Sequence, residues 1–135
     1  MESKEYKKFK NISFWKLEDE IIAFEYSPKL EIDINIAKEL IRDRIDYCNG
    51  KPYFALIDFS NVKSTTKEAR DYMNDPEGGL KGILGGAFLS NNAVATLFIN
   101  LYLKINKPSV PAKFFTNKED ALDWLTTIKS KKAVL

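Results

Sequence analysis

From Ile12 to Leu17 apolar and polar residues alternate, Glu18-Asp19-Glu20 interrupts the run, and Ile21 to Tyr26 resumes it with β-branched and aromatic side chains. A period of two on either side of a polar break predicts a β-hairpin. Pro28 closes its second strand. From Asn35 to Cys48 the period changes. Ala37, Leu40, Ile41, Ile45 and Cys48 recur at three and four, with Lys38, Glu39, Arg42 and Asp43 on the other side. That spacing predicts an amphipathic helix ended by Asn49-Gly50.

Tyr53 to Phe59 is almost continuously apolar, as expected of a strand covered on both faces. Thr66 to Met73 reads as a helix stopped by Asp75-Pro76-Glu77-Gly78-Gly79. Ile83 to Leu89 is a further strand whose Gly85-Gly86 pair marks a close approach by a neighbour. A helix from Asn92 to Ile105, a Pro-containing connector, a strand from Ala112 to Phe115 and a helix from Lys118 to Ile128 complete the chain. The predicted order is β-β-α-β-α-β-α-β-α. It implies an α/β domain with a mixed, mainly parallel sheet of four to five strands, opened by an antiparallel hairpin, with helices on both faces.

The 135 residues suffice for one domain, spanning 1–135 with short charged tails at both ends. Basic and acidic residues number 21 and 19, and the lysines cluster only near the termini (Lys4, Lys7, Lys8, Lys10; Lys129, Lys131, Lys132). No basic stripe is present to hold nucleic acid, and the terminal lysines are expected as solvated tails. There is no histidine and one cysteine, Cys48. The usual general base and zinc ligands are therefore missing, and no metal or cofactor is expected. Cys48 is expected as a small buried residue at a helix end. The charged N-terminus lacks the apolar core of a secretory signal, and the apolar stretch near 93–105 is too short to span a bilayer. A cytoplasmic protein without stable membrane insertion is expected.

Three segments, "ALIDFSNVKSTTKEARDY" (55–72), "AFLSNNAVATLFINLYLKINKPSVPAKFFT" (87–116) and "NKEDALDWL" (117–125), resemble the SpoIIAA-like proteins of the STAS superfamily, whose fold group is also compared with CRAL-TRIO lipid-binding domains. The pattern from Phe115 to Leu125 is the most specific. The resemblance implies a SpoIIAA-like fold and a protein-interaction module. STAS regulators that antagonise anti-sigma factors carry a phosphorylated serine after an aspartate at the start of the helix following this strand. Here Thr66-Lys67 lies opposite that Asp-Ser pair and the following glycine is absent, so the switch does not transfer residue by residue. Ser64, Thr65 and Thr66 stay as candidate acceptors by proximity, at a helix start where a phosphate is electrostatically favoured.

The same polar loops read as helix starts. Thr65-x-x-Glu68 and Thr116-x-x-Glu119 have capping-box spacing, and Ser90-Asn91-Asn92 offers N-caps. All three also lie at the carboxyl ends of the expected parallel strands, the edge on which open α/β sheets bind ligands and partners. Asp58, Ser60, Ser64, Thr65, Thr66, Ser90 and Asn91 are therefore the expected partner-binding or regulatory loop. Gly79-x-x-Gly82 resembles the KH loop only in spacing, since an apolar strand follows it. No nucleophile stands with a base, and of the carboxylates only Asp58, beside a buried strand, lacks an ordinary structural role. No catalytic residue is assigned, and a non-enzymatic protein is expected.

The helix 92–105 carries two apolar stripes. Val94, Leu97, Phe98, Leu101 and Ile105 are expected to seat it on the sheet; Ala95, Ile99, Tyr102 and Leu103 form a second stripe that needs its own cover. Adjacent helices, a homodimer interface or the wall of an apolar pocket would each supply that cover. Two functions follow as expectations: a STAS-like module that docks a protein partner, with a homodimer as one form of docking, or a small carrier or sensor of an apolar, lipid-like ligand.

Overall fold

The computed structural model describes residues 4–134. Its main sheet has six strands rather than four or five. They are β1 (Lys4–Lys8), β2 (Ile12–Glu18), β3 (Ile21–Tyr26), β5 (Tyr53–Asp58), β7 (Ile83–Leu89) and β8 (Ala112–Phe115), and they lie side by side in that order. The expected hairpin is β2–β3, with Phe14 opposite Phe24, and from β3 onward every pairing is parallel. Two short strands, β4 (Leu30–Ile32) and β6 (Val62–Thr65), form a separate parallel ribbon that the periodicity did not predict. Three or four residues are too few to establish a period.

The charged ends differ from the solvated tails expected of them. Lys4–Lys8 is an edge strand, with Lys7 opposite Phe14 and Lys8 opposite Ser13. Lys129, Lys131 and Lys132 belong to α4 (Lys118–Val134), and Lys129 Nζ lies 3.4 Å from a Glu18 carboxylate oxygen. Of the expected tails, positions 1–3 and 135 lie outside the described residues.

Strands β3, β5, β7 and β8 follow one another across the sheet in chain order. Right-handed crossovers running in one direction place their helices on one face, and the core divides accordingly. On that face α1 (Ile34–Tyr47), α2 (Lys67–Met73) and α3 (Ala93–Leu101) bring Ala37, Leu40, Ala69, Ala95 and Ile99 against Phe14, Phe24, Ile57 and Phe88. On the other, Ala121 and Leu125 of α4 cover Ile21, Ala23, Phe54, Leu56 and Ala87. The α4 helix approaches closely because β7 carries Gly85: a Cβ there would stand 2.9 Å from Ile128 Cδ1 and 3.2 Å from Phe54 Cδ1. This is the close approach that the glycine pair predicted.

The helix α3 reverses the expected assignment of its stripes in large part, although Phe98 packs against the core as expected. Ala95, Ile99 and Tyr102 face inward at 0%, 1% and 8% exposure, and Leu103 is half-buried beside them. Val94, Leu97 and Ile105 are 54%, 56% and 68% exposed. Both stripes are apolar, so spacing alone could not choose between them. The inward one carries Ala95, whose small side chain lets the helix lie close to the sheet. A single π-turn, Tyr102–Asn106, continues α3 and ends at Lys107, which has φ 50°.

Candidate functional site

The ends of β5 and β7 are joined by hydrogen bonds that gather four of the predicted loop residues. The Asp58 carboxylate accepts from Ser60 N at 3.0 Å, and Ser60 Oγ accepts from Asn91 N at 3.1 Å. Ser90 Oγ accepts from Asn92 N at 3.2 Å and donates to the Asn92 carbonyl at 2.9 Å. Asn92 completes the cluster. Its Nδ2 donates to the Ser60 carbonyl at 2.7 Å while its Oδ1 accepts from Ala95 N at 2.8 Å, which makes it the N-cap of α3. The bonds within each loop serve a turn or a cap, and the two to Ser60 from Asn91 N and Asn92 Nδ2 tie the loops together.

Ser64, Thr65 and Thr66 belong to a different place, the β4–β6 ribbon and the start of α2. The N-cap of α2 is Thr66, whose hydroxyl accepts from Ala69 N at 3.1 Å. Thr65, the expected cap, is instead 7% exposed, and its carbonyl and Oγ accept from Arg70 Nη1 at 2.8 and 2.9 Å. Ser64 is half-buried with Glu31 as its register partner. The last helix shows the same one-residue shift, with Asn117 Oδ1, not Thr116, accepting from Asp120 N. A threonine beside the true cap satisfies a spacing rule equally well, and only the backbone turn distinguishes them.

Between α1, α3 and the sheet lies a cavity of about 90 Å³. Ile99 and Tyr102, predicted for an apolar pocket, line it; Ala95 packs in the adjoining core and Leu103 at its edge. One wall is a ladder of aromatic rings, Phe24, Tyr26, Phe59, Phe88 and Tyr102, with successive centroids 6.0, 5.4, 6.1 and 5.9 Å apart and each ring edge-on or steeply tilted to the next. Such contacts hold the rings in place without filling the space between them. Gly86 lies on the floor, and the half-exposed Leu80, Pro108, Val110 and Ala112 form the rim. The volume is roughly that of three waters, and more than half that of an engineered apolar cavity of about 150 Å³ that takes up benzene.

Sequence reasoning missed the most unusual residue here. Arg44, in the last turn of α1, is 4% exposed and lines the cavity. Among the described residues its one side-chain hydrogen bond runs from Nη2 to the Gly79 carbonyl, 3.1 Å away, and no carboxylate lies within ion-pair distance. Burial holds its guanidinium below the usual arginine value, partly offset by Cys48 and Tyr26. Burial also pushes the Tyr26 and Tyr102 phenols far above their ordinary range. A signal was present: position 44 is seven residues after Ala37, on the apolar stripe of α1.

Cys48, the C-cap of α1, is buried as expected, and burial raises its thiol to about 11. Among the described residues no cluster of three or more potential metal ligands occurs, and no helix is long and apolar enough to cross a membrane.

These features define an α/β protein of the SpoIIAA-like fold. A solved structure of an uncharacterised DUF3478-family protein from Shewanella loihica PV-4, described as having that fold, superposes with a TM-score of 0.59 at 19% identity, covering 88% of this chain and 97% of the other. Residues 14–129 match the family described as Domain of unknown function (DUF7793), and the chain belongs to that family. No curated protein matches it.

Proposed function

We propose that this protein is a non-enzymatic, cytoplasmic carrier or sensor of a small apolar ligand. The observation that supports this reading is the cavity beneath α3, walled by an aromatic ladder that keeps its shape while leaving room inside. A domain of this size gains stability by closing such space, since each unfilled volume forfeits packing contacts. Apolar and aromatic walls with a few polar groups are the usual lining of a small-molecule site. Native mass spectrometry of the purified protein tests the reading, with Ala112→Phe as a variant that fills the rim. Extra mass that disappears on denaturation and is absent from Ala112→Phe supports it. A bare wild-type protein that also fails to take up added benzene or hexanol overturns it.

The docking reading is favoured by a different observation, the exposed outer stripe of α3 formed by Val94, Leu97 and Ile105. We assign that face to a second copy of this chain. From Ala93 to Leu103 the helix bears no charge, so two copies meeting across a two-fold axis face no like-charge repulsion there. Sedimentation equilibrium should give a dimer for the wild type and a monomer for Leu97→Glu. A monomeric wild type at tens of micromolar removes this reading.

A further inference from the structure

Arg44 separates two spaces. Its Nη2 donates to Gly79, a cavity residue, and its Nη1 stands 3.6 Å from where a Cβ on Gly82 would lie. Gly82 lines a second recess of about 320 Å³, together with Arg44, Ile45, Cys48 and the exposed Gly50, Lys51 and Lys81. No buried side-chain nitrogen or oxygen among the described residues is both sealed from accessible space and without a partner. The unbonded Nε and Nη1 therefore keep some accessible surface, and Arg44 lines both of these spaces.

The charge balance of those spaces is one-sided. Arg44 and Arg70 line the cavity, Lys51 and Lys81 line the recess, and no aspartate or glutamate lines either. Arg70 is engaged, since its Nη1 holds both oxygens of Thr65. Arg44 keeps most of its five donors unused, and a buried charge without a counter-ion is costly. The C-terminal dipole of α1 offsets only part of that cost. A planar fork with free N–H groups at the edge of an apolar cavity has the chemistry of a carboxylate receptor.

We propose that the cavity takes a small amphipathic carboxylate, its apolar end among Phe88, Ile99 and Tyr102 and its head against the guanidinium of Arg44, the residue that lines both the cavity and the Lys51–Lys81 recess. This rests on the carrier reading and adds the charge of the ligand to it. A monoanion suits the site because Arg44 is the one buried guanidinium on the cavity wall, whereas Arg70 is half-exposed and already holds Thr65. The cavity volume sets the apolar part at roughly four to six heavy atoms, on the scale of the benzene-binding cavity.

Chemical-shift titrations of the 135-residue chain with hexanoate and with 1-hexanol, at one fixed low salt concentration, test this. The wild type should bind hexanoate at least tenfold more tightly than hexanol, with shifts centred on Ile99 and Tyr102. Arg44→Met should abolish the preference, bringing hexanoate affinity down to that of hexanol. Arg44→Lys keeps the charge but loses the fork, and should retain a reduced preference. Equal binding of the two ligands by the wild type overturns the inference while leaving the carrier reading intact. Binding of neither overturns both. A hexanoate preference that survives in Arg44→Met places the head group elsewhere and also overturns the inference. Should Arg44→Met fail to fold, the wild-type ratio and Arg44→Lys still decide.

Discussion

The Arg44 guanidinium donates across 3.1 Å to the carbonyl of Gly79, tying the last turn of α1 to the loop that follows α2. That one bond is the visible return on burying a full charge. Charge-assisted hydrogen bonds contribute about 1.5–3 kcal/mol, whereas replacing a buried charge by an apolar side chain of similar volume is often neutral or stabilising. Ligand-free Arg44→Met is therefore expected to unfold in urea within about 1 kcal/mol of the wild type or above it. A loss of more than about 3 kcal/mol would mark Arg44 as a structural tie rather than a residue kept for binding.

Asn92 and Asn91 are neighbours with unequal roles. The Asn92 side chain caps α3 and holds the Ser60 carbonyl, while Asn91 contributes its backbone N–H to Ser60 Oγ. Asn92→Ala should cost about 1–2 kcal/mol, the upper part of the N-cap range. Asn91→Ala keeps that backbone bond and should stay within about 0.5 kcal/mol. Paired denaturation curves with equal m-values would check both, and equal losses would contradict the cap assignment.

The two adjacent glycines of β7 face opposite layers. A methyl on Gly85 would press into Ile128, Phe54 and the Pro111 carbonyl at 2.9–3.3 Å, whereas one on Gly86 would meet Ile57 at 3.4 Å and Phe88 at 4.0 Å on the cavity side. Gly85→Ala should destabilise by about 1–3 kcal/mol through overpacking. Gly86→Ala should be neutral or stabilise by up to about 1 kcal/mol, because alanine narrows the unfolded ensemble. A thermal melt that ranks them the other way would reverse the layer assignment.

Alkaline pH should weaken the fold. Burial raises the Cys48 thiol from 9.0 to about 11 and the Tyr47 phenol from 10.0 to about 12. A group that holds its proton more tightly when folded contributes in full below its unfolded pKa and loses that contribution as pH rises through the folded one. Stability should therefore fall from about pH 9 to about pH 11 through Cys48, by up to about 1.4 kcal/mol per pH unit. Cys48→Ala should flatten that part of the profile, and an unchanged slope would remove the thiol from the account.

The hairpin, the α1 helix, strands β5, β7 and β8 and the SpoIIAA-like order were legible because each carries a period or a terminator several residues long. The β4–β6 ribbon was not, since Leu30–Ile32 and Val62–Thr65 are held by pairing with each other rather than by local pattern. The cavity residues Ile99 and Tyr102 were found for a partly mistaken reason, as a stripe needing cover, when the stripe facing solvent was Val94, Leu97 and Ile105. Arg44 went unread because a single charge on an apolar stripe resembles the snorkelling arginine of any surface helix. Only the tertiary structure shows that its head group stays inside.

The sheet ends in β1 on one side, where Lys7 and Lys8 are exposed and the register is broken between Lys4 and Lys7, and in the four-residue β8 on the other, preceded by Pro111 and bearing Lys113. Charges, an irregular ladder and a short strand after proline are the devices that keep open sheet edges from recruiting further strands. Templated growth into fibrils is thus discouraged at both margins, and a solution of this protein kept concentrated for weeks has little route to cross-β assembly through its native state.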